Sequence, residues 1–236
     1  MEQQRVLVTG DTGLLGAHVV ADLRARGHEV RLLARDATRD VAAVSRAVQG
    51  CTALVHSQED PAEVAGTTTV LKAGIGRGCD PIVYVAVPRT ASEAIARRLQ
   101  DAGAPLTILY PGAVLGPDDP GLSPENRRLR DLLRGDSPMW PAGSRYLTDV
   151  RDLARAVGEL MTPGAGPHRY LVPAHLLPVE QAAAEQPRPD YPALPGLEPR
   201  PLAVTLSDTV AWLRAAGQLT AAQAASAVGR EPFLPG

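Results

Sequence analysis

The sequence predicts an α/β protein built on a doubly wound parallel sheet, and three observations predict it. Short apolar runs at 5–9, 30–34, 53–56, 82–85 and 106–110 alternate with segments of helical periodicity. Glycines stand at Gly10, Gly13 and Gly16, directly after the first run and at the start of the first helical segment. At 236 residues and 44% hydrophobic the chain can bury a sizeable core, so one main domain with a small appended lobe is expected.

The elements follow in order. The first strand runs into a helix over 13–26, with Leu15, Val19, Val20 and Leu23 on one face and Gly27 placed to end it. The spacing Gly10-x-x-Gly13-x-x-Gly16 lets the backbone approach a pyrophosphate, whose charge meets unpaired N–H groups and the positive end of the helix dipole. A second strand at 30–34 closes a βαβ unit. Residues 40–48 read as a helix with Val41, Val44 and Val48 on a face, and 90–102 as another carrying Ala94, Ile95 and Leu99.

Beyond Gly116 the composition shifts. Segments 117–141 and 163–201 are rich in proline and turn residues, which predicts a small cap at the carboxyl ends of the strands, where α/β folds bind ligands. Asp149 and Asp152 take N-cap and N3 positions of a helix reaching Leu160, and Trp212 with Leu213 reads as core of a closing helix. The expected division is a main domain over 1–162, of which 117–147 contributes to the cap, and a C-terminal cap lobe over 163–236.

A net charge of -2 leaves no electrostatic footprint for nucleic acid or an anionic membrane. Cys51 and Cys79 are expected as reduced core thiols, and His168 and His175 lack metal-ligand spacing. With no basic leader and no apolar run of membrane length, a cytoplasmic protein with a small-molecule substrate is expected.

With these residues in place, the chain resembles the extended short-chain dehydrogenase/reductases, the group that holds nucleotide-sugar epimerases and dihydroflavonol-reductase-like enzymes. Thr9-Gly10-x-Thr12-Gly13-x-x-Gly16 is similar to the family signature, Ala53-Leu54-Val55-His56 to its fourth strand, and Val64-Ala65-Gly66-Thr67 to its next helix. Ile82-Val83-Tyr84-Val85 resembles the fifth strand, 106–117 the sixth strand with its substrate loop, 146–154 a segment entering a late helix, and 206–213 the closing helix. The resemblance implies a Rossmann-like sheet, here truncated by the one strand that the family fits between 36 and 50. It also implies NADP(H), held by Gly10, Thr12, Gly13, Leu14, Leu15, Gly16, Arg35, Ser57 and Pro111. Arg35 follows the second strand, where an acid marks NAD and an arginine suits a 2′-phosphate.

The departures decide the function. The family's Tyr-x-x-x-Lys pair cannot exist: the only lysine is Lys72, and Pro88, Val114, Val150, Ala174 and Pro195 stand four residues after the five tyrosines. Ala86-Val87-Pro88 replaces the hydroxyl-bearing stretch after the fifth strand, and Glu63 aligns with the supporting asparagine. Arg89 lies near the missing lysine, but its guanidinium stays protonated and relays no proton. All four members of the usual catalytic set are therefore absent.

Three readings follow. One is a reductase or epimerase binding NADP(H) and a small apolar metabolite, with Tyr110, Tyr146 or His56 as substitute proton donor. Another is a non-redox cyclase, isomerase or lyase reusing the pocket; the third is a non-catalytic nucleotide sensor or partner subunit. The missing strand removes a wall of the adenine pocket, which keeps open a chain that holds no dinucleotide. Glu63, Asp118, Asp119 and Lys72 are expected in solvent and Trp140 near the cap. Both monomer and homodimer remain open, because the helix before 82 is expected to break at Gly74-Ile75-Gly76.

Overall fold

The computed structural model describes residues 3–10, 13–57, 63–136, 146–177 and 189–227. Strand β1 (Arg5–Thr9) leads through the glycine turn into α1 (Leu14–Ala25), and β2 (Glu29–Leu33) follows. A 3-10 turn over Arg35–Arg39 and α2 (Val41–Val48) then lead to β3 (Ala53–Ser57), with no further strand between. Next come α3 (Val64–Gly76), β4 (Ile82–Val85), α4 (Ala91–Asp101) and β5 (Leu106–Tyr110). The second half holds β6 (Ala113–Leu115), α5 (Pro124–Arg134), β7 (Tyr146–Asp149), α6 (Val150–Glu159), β8 (His168–Leu171), β9 (His175–Leu176), α7 (Leu202–Ala215) and α8 (Ala221–Ala227).

The main sheet is six-stranded and parallel, in the order β2-β1-β3-β4-β5-β8. Its inner strands β3, β4 and β5 are buried along their whole length, as parallel strands covered on both faces must be. One face packs Val6, Val8, Val55 and Val83 against Val19 and Leu23 of α1 and Leu153 and Val157 of α6. The other packs Leu7, Leu54, Ile82 and Ile108 against Val44 of α2, Val70 and Leu71 of α3 and Ala96 of α4. The truncation expected from the sequence is present, and β2 is consequently a sheet edge, with Leu32 43% exposed.

A second, three-stranded sheet, β6-β7-β9, forms the base of the cap under α5, α7 and α8, around Leu115, Leu129, Leu147 and Leu213. Asp149 fastens it. Its carboxylate caps α6 by accepting from the Arg151 backbone N–H at 2.8 Å, and accepts from Thr205 Oγ1 of α7 at 2.7 Å. Burial pushes this carboxyl up, but the bonds from Arg151 and Thr205 outweigh that and hold it below the ordinary range.

Four expectations change. Residues 168–171, placed by sequence with the cap lobe, form the edge strand of the main sheet beside β5. Helix α3 does not break at Gly74: an added Cβ there stands 2.6 Å from Leu54 Cδ2, so the glycine serves close helix–sheet packing. Glu63 is buried and caps α3, its Oε1 accepting from Gly66 N at 2.9 Å. Asp119 is buried too, binding Gly121 N at 3.1 Å and Asn126 Nδ2 at 2.8 Å. Asp118 and Lys72 are exposed, as expected. Among the described residues no helix is long and apolar enough to cross a membrane.

Candidate functional site

The carboxyl ends of β1, β3, β4 and β5 form the edge at which doubly wound sheets carry their ligand crevice. At β1 the chain turns through Gly10 with φ +83°, a left-handed conformation, and an added Cβ would stand 2.7 Å from the Ser57 carbonyl oxygen. Ser57 Oγ donates to the Thr9 carbonyl at 3.3 Å, so the end of β3 braces the turn. Gly13 is the N-cap of α1 and supplies no side-chain cap; the first turn, with Leu14, Leu15 and Gly16, carries no acid. The unpaired N–H groups at the start of α1, in a first helical turn without an acid, suit an anionic group such as a dinucleotide's pyrophosphate. Thr12 and Trp140 lie outside the described residues.

At β2 the sequence places Arg35 on the strand end; the strand stops at Leu33 and Arg35 opens the 3-10 turn. That turn folds back on α3. Thr38 is buried against Gly66, where any added Cβ would collide with Thr38 Oγ1, and Arg39 pairs with Glu63. Thr38 and Arg39 belong to no motif, so the sequence reading passes over them. The available signal was Gly66, a glycine in a helical first turn.

The three residues nominated as proton carriers separate. His56 is 1% exposed, with Nδ1 2.5 Å from Thr9 Oγ1 and Nε2 3.0 Å from Thr67 Oγ1, and its ring stacks on Tyr84 at 5.5 Å. Burial pushes its pKa down to about 3, so it is a neutral, fully bonded core group. Tyr110 is also 1% exposed; its hydroxyl donates to Glu93 Oε1 at 2.9 Å and its ring stacks on Tyr191. Burial, reinforced by the Glu93 carboxylate, drives that hydroxyl far above the ordinary tyrosine range. Tyr146 alone is half-buried, at the start of β7. The loop after β5 crosses its backbone so closely that a Cβ at Gly112 would collide with the Tyr146 carbonyl oxygen, which places half-buried Pro111 beside it.

The loop from β4 to α4 is five residues long, 86–90. Ala86 is buried, Val87 and Pro88 are half-buried, and Thr90 Oγ1 caps α4 by accepting from Glu93 N at 3.1 Å. Arg89 between them is exposed and holds φ +62°, an uncommon conformation for a non-glycine residue. The strand end that carries the proton relay in the family thus presents an arginine and apolar groups.

Comparisons with known proteins fit this architecture. Residues 2–89 match the NmrA-like family. A 3-diazoavenalumate denitrifying reductase from a Streptomyces species is 32% identical over 188 residues, covering 69% of this chain and 58% of the reductase; the match thus spans little more than half of that relative. Among solved structures, a nucleoside-diphosphate-sugar epimerase from Pseudomonas aeruginosa aligns with a TM-score of 0.72 at 20% identity, over 93% of this chain and 100% of that one. The UDP-glucose 4-epimerase of Thermus thermophilus, solved as a complex with NAD, gives 0.67 at 22% identity, over 90% and 99%. The amino-terminal part of the chain is thus similar to the NmrA-like family, and its fold is that of the NAD-dependent epimerase type of short-chain dehydrogenase/reductase.

Proposed function

We propose that this chain is a nicotinamide-dependent reductase whose acceptor needs no proton from the protein, and that the acceptor is a small diazonium compound. The observation that carries the reading is the β4–α4 loop: Ala86, Val87 and Pro88 bear no ionisable proton, and Arg89 does not release one. His56 and Tyr110, the nearest substitutes in sequence, are fixed in core hydrogen bonds. Carbonyl reduction leaves an alkoxide that must be protonated, and general acid–base help there is typically worth about 10²- to 10⁴-fold. A diazonium carbon is different. It gains hydride, its C–N bond breaks, and dinitrogen departs with the bonding electrons, so no proton is consumed. The Streptomyces relative, named as a denitrifying reductase of a diazo acid, supports the same chemistry.

When bound, the reduced nicotinamide supplies the hydride. Gly10, Gly13, Leu14, Leu15 and Gly16 would hold its pyrophosphate, with Ser57 and Pro111 lining the crevice beyond. Arg35 would meet a 2′-phosphate, which favours NADP(H). Arg89 orients an anionic acceptor across the mouth of the crevice, and the partly exposed ring of Tyr146 packs on it.

The test is to mix the protein with a simple arenediazonium carboxylate and NADPH deuterated at the transferring carbon. Deuterium on the product ring, with dinitrogen released in step with NADPH loss, is the expected result. Hydrogen drawn from solvent instead, or calorimetry showing no heat with either NADPH or NADH, overturns the reading.

A further inference from the structure

At the opposite end of the sheet from the crevice, two turns carry the chain into β3 and β4 in the same way. Each ends in a glycine of positive φ followed by a cysteine: Gly50 at +75° before Cys51, and Gly78 at +71° before Cys79. The Asp80 N–H donates to the Thr52 carbonyl at 2.9 Å, so the two cysteines, each one residue earlier, sit side by side below neighbouring strands. Cys79 Sγ lies 3.7 Å from the Cys51 carbonyl oxygen, and both side chains belong to the same buried cluster. Both thiols are free. Backbones of adjacent strands lie about 5 Å apart, within the range that a disulfide spans.

The surroundings distinguish the two. Cys51 is 7% exposed and Cys79 only 1%. The turn that holds Cys51 is gripped by two guanidiniums: Arg31 Nη1 donates to the Ala47 and Gln49 carbonyls at 2.8 and 2.7 Å, and Arg5 Nη1 to the Gly50 carbonyl at 3.5 Å. Glu29 offsets part of this charge through its 2.9 Å pair with Arg5. Burial holds the Cys51 thiol above its ordinary value, with Arg31 and Arg5 offsetting only part of the rise; at Cys79 burial acts with the neighbouring Cys51 and takes the thiol higher, to about 11.

We propose that Cys51 and Cys79 form a reversible thiol–disulfide site, in which Cys51 meets a small anionic disulfide of the glutathione type and Cys79 resolves it. The Cys51 thiolate attacks one sulfur of the reagent, forming a mixed disulfide and expelling one reagent thiolate. Cys79 gives up its proton to solvent and attacks Cys51 Sγ, expelling the second reagent thiolate. The protein loses two protons and two electrons, and one disulfide reagent is reduced to two thiols. The closed loop encloses β3 and α3, so oxidation resists unfolding without touching the crevice.

The experiment is a time course of the native protein with oxidised glutathione, read by intact mass, thiol titration and a non-reducing peptide map. Both thiols are expected to disappear together, with a 51–79 cross-link, a higher unfolding midpoint in urea, and reversal by dithiothreitol. Cys79→Ser should accumulate a stable glutathione adduct on Cys51, and Cys51→Ser should stay unmodified. A wild type that stops at a glutathione adduct overturns the proposal. So does a Cys51→Ser variant modified as fast as the wild type, an intermolecular cross-link, or a native chain that stays reduced while the urea-unfolded chain oxidises.

Discussion

The turn after β1 and the loop after β4 open onto the same crevice from the same sheet, yet the chain treats them in opposite ways. At β1 the described residues suit a bound pyrophosphate: a left-handed Gly10, a bracing Ser57, and a helix whose first turn carries no acid. At β4 the hydroxyl, the tyrosine and the lysine are gone, and a short loop of Ala86, Val87, Pro88 and Arg89 runs straight into α4. A left-handed glycine whose Cβ would stand 2.7 Å from a carbonyl oxygen is a demanding feature to keep in a fold with no anion to bind. On the proposed reading, cofactor geometry and proton relay are separable parts of this fold, the first present in this chain and the second absent.

The sharpest way to break that contrast is at Gly10. Gly10→Ala forces a side chain into the left-handed region and against Ser57, and should destabilise the chain by about 2 kcal/mol while abolishing NADPH binding. Urea unfolding and titration calorimetry check both. Binding that survives in a folded variant dissolves the contrast.

Beneath the turn, His56 should make stability pH-dependent. It is neutral when folded, with a pKa near 3, and takes up a proton near the ordinary 6.5 once unfolded. The unfolded state therefore binds more protons below about pH 6.5, and stability falls as pH drops toward 3. Between about pH 6.5 and pH 5 the loss should reach about 2 kcal/mol, at about 1.4 kcal/mol per pH unit. His28, also lowered by burial, adds in the same direction, so the measurement is the slope removed by His56→Gln. An unchanged slope returns His56 to the crevice as a titrating group.

Arg35→Ala should weaken NADPH about tenfold and leave NADH unchanged, the loss of one charge-assisted bond worth about 1.4 kcal/mol. Equal affinity for both nucleotides in the wild type removes the 2′-phosphate from its role. Tyr110→Phe should cost about 1 kcal/mol, because Glu93 loses its buried donor, with turnover of the diazonium unchanged. A fall in turnover at full stability restores a proton relay to the second region. Smallest of all, Lys72→Ala should alter stability by less than about 0.5 kcal/mol and turnover not at all.

Much of the fold was legible because its signals are local. The alternation of apolar runs with helical faces, Gly10 before α1 and Asp149 at the start of α6 are each written within a few residues, and each stands where the pattern predicts. The proton carriers were less legible. His56 and Tyr110 end their strands as site residues do, but whether a side chain at a strand end faces the crevice or the helix layer depends on what packs across it. Thr67 and Glu93 take both into the core.

The sheet, its missing strand, the glycine cradle and the loss of the tyrosine–lysine pair could all be read from the chain of residues, since periodicity, turn chemistry and the presence of a residue type need no partner. Folding in three dimensions was required to show that β8 completes the main sheet, that Gly74 packs a continuous α3 against Leu54, that Glu63 is a buried cap and that Asp119 is a buried brace of the loop before α5. Each of these depends on a contact between residues close in space, and a polar side chain reads as solvated until the groups that satisfy it are brought beside it.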